Sequence, residues 1–101
     1  MTTYKIVRGT LSLGTAGITW GVQSGGVMFD FPTNGWRACL RGSDLIGMPL
    51  PYGECSLTVD LEGGGKLRGM CSVVEVDVRQ AQVESGSEPD QFEEPTIIEA
   101  E

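Results

Sequence analysis

Residues 56–78, SLTVDLEGGGKLRGMCSVVEVDV, decide how this chain folds. Leu57, Val59 and Leu61 recur at every second position, as do Val74, Val76 and Val78, which is the period of a strand with one face on a core. Glu62-Gly63-Gly64-Gly65 between them supplies a turn, so the stretch predicts a β-hairpin with both apolar rows facing inward.

The same period extends in both directions. Ile18, Trp20 and Val22 alternate in GITWGVQ, and Val27, Phe29 and Phe31 alternate in VMFDF; Ser24-Gly25-Gly26 between them predicts a second hairpin over 17–31. Asn34-Gly35 leads into Trp36, Ala38 and Leu40, and one short helical turn fits Ser43–Met48 ahead of Pro49 and Pro51. An Arg-Gly pair interrupts three strand-like runs, IVRGTLSL, CLRGSDLI and KLRGMCSV, and the inward parity flips across each. One extra residue does this, so bulges are expected there, with Gly9, Gly42 and Gly69 at φ above zero. Repeated bulges curve a sheet strongly, which predicts an all-β fold: a small bulged antiparallel β-barrel, with a β-sandwich as the alternative.

Composition agrees with one folded domain. The chain has 101 residues, 40 % of them hydrophobic, with no apolar run long enough for a membrane span. The start, MTTYKIVRG, lacks the basic-then-apolar order of a secretory signal, and three cysteines are an odd number for a disulfide framework, so a cytoplasmic location is expected. The net charge of −7 is unevenly placed. Residues 1–79 hold all seven bases against seven acids, whereas residues 80–101 hold the other seven acids and no base. The expected organisation is therefore a neutral β domain over 1–79 and a disordered acidic tail over 80–101.

Enzyme chemistry finds little support. The chain contains no histidine, which removes Ser-His and Cys-His pairs and the commonest general base. GGGK at 63–66 lacks the spacing and the following hydroxyl of a phosphate loop and fits a hairpin turn. Cys39, Cys55 and Cys71 form no C-x-x-C clamp, so neither a metal site nor a cofactor is expected. Asp60 with Glu62, and Glu75 with Asp77, project in pairs at i and i+2, and all four carboxylates would cluster if their strands pair along their length.

Two binding functions remain. Tyr4, Lys5, Arg8, Trp36, Arg37, Arg41, Lys66 and Arg68 are the aromatic and basic residues a single-stranded nucleic acid would stack on and pair with, as on an oligonucleotide-binding barrel. A barrel with an acidic end is similar in architecture to single-strand DNA-binding proteins, which implies a tail that regulates binding or recruits partners, although this chain ends Ile97-Ile98-Glu99-Ala100-Glu101 with no terminal Phe. The preferred expectation is a non-enzymatic protein-interaction module, an accessory, inhibitor or assembly subunit. In it the apolar anchors Phe92, Ile97 and Ile98, flanked by Glu93, Glu94 and Glu99, meet a partner protein with a basic surface. Strand edges offer a route to a homo-oligomer.

Overall fold

The computed structural model describes residues 3–14, 17–30, 35–49, 51 and 53–95. Eight strands follow in order: β1 (Thr3–Leu13), β2 (Ile18–Val22), β3 (Ser24–Asp30), β4 (Gly35–Arg41), β5 (Cys55–Leu61), β6 (Lys66–Val76), β7 (Ala81–Ser85) and β8 (Gln91–Glu93), with a 3-10 turn at Ser43–Leu45. Six of them, in the spatial order β1-β3-β4-β7-β6-β5, close through the β1–β5 pairing into an antiparallel barrel, and β2 and β8 are added to it. Closure excludes the sandwich.

The first hairpin differs from the sequence expectation. β2 pairs with β1 from Gly9↔Val22 to Leu13↔Ile18, and β3 pairs with the same strand from Thr3↔Met28 to Ile6↔Gly25, all in one register. β2 and β3 are thus two halves of one long strand, folded back on β1 around Gly14 and Gly17, which have φ of 37° and 70°. Ser24-Gly25-Gly26 is not a turn; it lies in strand β3, where a side chain at Gly25 would collide with the carbonyl of Cys39 on β4. Glycine is there because two strands pass close together.

From β4 the chain crosses the upper end of the barrel to β5, which lies beside β1, the fourth strand of a Greek key. The 3-10 turn falls within the expected helical stretch, and Leu45 and Met48 plug the barrel mouth there. β5 follows its alternation, with Cys55, Leu57, Val59 and Leu61 inward, and the hairpin to β6 turns at 62–65 as expected, with Gly63 and Gly64 at positive φ.

Bulges exist, but not where the Arg-Gly pairs place them. The β1–β5 register slips between Ile6 and Arg8, so the extra residue is the exposed Val7, and burial passes from Ile6 to Leu11 as the parity flip requires. The β6–β7 register slips between Val73 and Glu75, five residues beyond Arg68-Gly69. Leu67, Gly69, Cys71 and Val73 face inward before the slip and Val76 after it, as expected for Val76, whereas Val74 and Val78 face out, contrary to the expectation for VVEVDV. At Arg41-Gly42 the strand ends, with Gly42 extended at φ 169°.

None of Gly9, Gly42 and Gly69 has a φ in the left-handed range that favours glycine; at Gly9 and Gly69 it is a neighbour that leaves no room for a side chain. A Cβ on Gly9 would stand 2.5 Å from both the Thr58 carbonyl oxygen and Val59 Cγ1, and one on Gly69 would stand 3.0 Å from Trp36 Cζ2 and 3.2 Å from Pro89 Cα. Gly9→Val is expected to cost about 2–3 kcal/mol and Gly69→Val about 1–2 kcal/mol, because a backbone neighbour yields less than an indole edge. Thermal melts of the two variants check both the size and the order.

Candidate functional site

The described part of the acidic segment is built into the barrel. Ala81 and Val83 alternate with Gln82 and Glu84, and this period seats β7 between β4 and β6, with both apolar residues fully buried. Glu84 then projects outward opposite Arg37 of β4 and Ser72 of β6. After Glu88, Pro89 and Asp90 the chain pairs again with the lower end of β6, placing Gln91 opposite Arg68 and Glu93 opposite Lys66. A boundary at residue 79 is therefore corrected. The strands continue to Glu93 because the AQVES alternation supplies two core residues that β4 and β6 cannot cover without it.

Phe92 is not a free anchor. Its ring packs edge-on against Phe29 at 4.8 Å and Tyr4 at 5.3 Å between centroids, and Tyr4 and Phe29 touch at 6.0 Å, so three aromatics close the lower mouth of the barrel. Burial, then the charge of Glu94 and a hydrogen bond from the Tyr4 hydroxyl to its carboxylate, push the Tyr4 pKa up. Pro95 is buried beside Gly65, whose missing Cβ would stand 2.6 Å from the Glu93 carbonyl oxygen and 2.7 Å from Pro95 Cδ. Of the expected partner-binding set, Glu93 and Glu94 are thus held on the barrel, while Ile97, Ile98 and Glu99 lie outside the described residues.

The aromatic and basic set is not gathered on one surface: Arg8 and Lys66 line a common cleft on either side of Asp60, but the aromatics are not with them. Trp36 is fully buried, with its indole Nε1 lacking a hydrogen-bond partner among the described residues, and Tyr4 is half-buried in the aromatic cluster. Neither offers a free stacking face. Arg8 pairs with Asp60 at 2.8 Å, Lys5 with Glu62 at 3.6 Å and Arg37 with Asp30 at 2.9 Å. Such exposed pairs contribute below about 1 kcal/mol each, yet each sets a carboxylate where a phosphate would go. The Arg8 hydrogen bond, ahead of its charge, holds the Asp60 carboxyl below its ordinary range. Lys66 and Arg68 stand on β6, whereas Arg37 and Arg41 stand on β4, beyond β7.

The four carboxylates do not cluster either. Asp60 lies opposite Lys66 at the lower end of β5 and β6, whereas Glu75 pairs with Gln82 at the upper end, where β6 has left β5 for β7. Cys55 and Cys71 are directly opposite each other on β5 and β6, both buried as free thiols. Burial, with smaller contributions from Cys55 and Glu54, pushes the Cys71 thiol up to about 12. Among the described residues no three acidic or cysteine side chains gather as metal ligands.

What the site presents is a set of carboxylates on fixed backbone: Glu84 on β7, Glu88 and Asp90 in the connection, and Glu93 and Glu94 on and after β8. The strand AQVES was visible as a period-two run but is masked in composition by the acids around it. Comparison of the chain with family models, with curated proteins and with solved structures finds no match.

Proposed function

We propose that the chain is a non-enzymatic protein-interaction module, an accessory, inhibitor or assembly subunit, that meets a basic partner protein with the acidic face carried by β7, β8 and the connection between them. The observation that carries this reading is the placement of Glu84, Glu88, Asp90, Glu93 and Glu94 on or between strands registered to the barrel, within a segment holding seven acids and no base. Carboxylates fixed before encounter lose little conformational freedom on binding, and five of them, against Arg37 opposite Glu84 and Lys66 opposite Glu93, leave an excess of negative charge that steers a basic partner toward the face. With Phe92 packed against Tyr4 and Phe29, the reading rests on the charges of this face.

Titration with a lysine-rich dodecapeptide at stepped ionic strength tests this. Neutralising Glu84, Glu88 and Glu93 together to Gln is expected to weaken binding about tenfold or more and to flatten its salt dependence. Neutralising Glu54, Asp60 and Glu62, which lie elsewhere on the barrel, should change it less than about threefold. Equal loss in both variants would show that net charge alone attracts the peptide and would remove the acidic face as a site.

A further inference from the structure

The upper end of the barrel carries an apolar surface that the core does not use. The slip after Val73 turns Val74 outward, 45 % exposed, and the chain leaves β6 with Val78 79 % exposed; Ile46, just beyond the 3-10 turn, is 59 % exposed. Leu45 and Met48 already fill the mouth beneath, so neither Ile46 nor Val78 is needed to close it. Between the crossover and the β6–β7 turn lies a cleft of about 430 Å³, lined by Ile46, Gly47, Met48, Glu75, Val76, Asp77 and Val78. Gly47, at φ 69°, makes the sharp bend that sets Ile46 on one wall and Met48 on the floor.

Both ionisable groups in that lining are acids. The Asp77 carboxylate accepts hydrogen bonds from the backbone N–H of Arg79 at 2.7 Å and of Gln80 at 2.9 Å, which fixes its position and lowers its pKa, so it stays charged at neutral pH. Glu75 points outward beside it, opposite Gln82.

We propose that this cleft docks a short segment of a partner protein in which an apolar side chain is flanked by lysine or arginine. The apolar side chain enters between Ile46 and Val78 above Met48, and the flanking cation meets Glu75 and Asp77. Charge complementarity selects this occupant. The two lining carboxylates, with Arg79 beside Asp77 as the nearby base, leave net negative charge that disfavours nucleic acid and anionic lipid, and a second copy of a chain with 14 acids and seven bases brings mostly like charge. The cleft lies at the end of the barrel away from β8 and shares no residue with the acidic face, so either can fail without the other.

The test uses the full chain and three labelled dodecapeptides, one alternating Lys and Leu, one with Glu for Lys and one with Ser for Leu, read by fluorescence anisotropy and backbone amide shifts. Only the Lys-Leu peptide is expected to bind with shifts at 46–48 and 74–78, and Ile46→Ser with Val78→Ser should weaken it at least tenfold. Glu75→Gln should weaken it about threefold and reduce its salt dependence. Both sets of side chains are exposed, so unchanged melting temperatures are expected and separate lost binding from lost folding. No binding at millimolar peptide, equal binding of the Glu-Leu peptide, or binding indifferent to the Ile46 and Val78 substitutions would overturn the proposal. So would cleft shifts that follow protein concentration without peptide, which assign the surface to a second copy.

Discussion

A chain ending at Arg79 should show no cooperative unfolding transition. Removing residues 80–101 takes away β7, which pairs with β4 over five residue pairs and with β6 over four, and with it the fully buried Ala81 and Val83. The barrel then has two bare strand edges and an opening over Trp36, Ala38 and Leu40. Burial of Val83 alone contributes about 1.5–3 kcal/mol, and the broken ladders bring the loss near the whole stability of a small domain, about 5–15 kcal/mol. Far-UV circular dichroism and thermal melts of the truncated chain beside the full one measure this. A sharp transition in the truncated chain would mean that the barrel closes without β7.

Gly25→Ala should be the most damaging single substitution in the body of the barrel. Gly25 pairs with Ile6 of β1 on one side and Leu40 of β4 on the other, at φ 141°, where L side chains rarely go. Its Cβ would collide with the Cys39 carbonyl oxygen and stand 3.3 Å from Leu40 Cα, and neither backbone can withdraw without breaking the ladder. Strain and overpacking together should cost about 3 kcal/mol or more, a fall in Tm of roughly 12–24 °C. Gly17→Ala, whose Cβ meets nothing within 4 Å, is the control, since it feels the positive φ without the collision.

The sequence showed the strands more clearly than their partners. Leu57, Val59 and Leu61 face the core as their alternation implies, because the period of a strand is local. Pairing is not local. The Ser24-Gly25-Gly26 run carries the residues of a turn, but glycine serves equally where two strands crowd together, and only the β3–β4 register separates the two. The parity flip in IVRGTLSL was legible and its bulge falls at Val7, two residues before Gly9, while in VVEVDV the slip makes Val74 the extra, outward residue, Val76 still packs on the core and Val78 lies beyond the strand.

The site was hardest to see. Seven acids over 80–101 have the composition of a solvated tail, and that signal outweighed the short Ala81, Val83 alternation. Phe92 among acids looks like an exposed anchor until Tyr4 and Phe29, more than sixty residues earlier, are found to need it. Arg8 and Arg37 had no visible partners in the sequence, since Asp60 and Asp30 reach them only across the sheet.

Amide hydrogen exchange on the intact chain tests most directly whether the acidic segment is part of the barrel. The account expects the amides of 82–85 to be protected to the same degree as those of 55–61, since β7 is paired on both sides as β5 is. The short β8 should show weaker but measurable protection at Phe92 and Glu93. Exchange of 80–95 at the rate of an unstructured peptide, with 55–61 still protected, would contradict it and return the acids to a free tail.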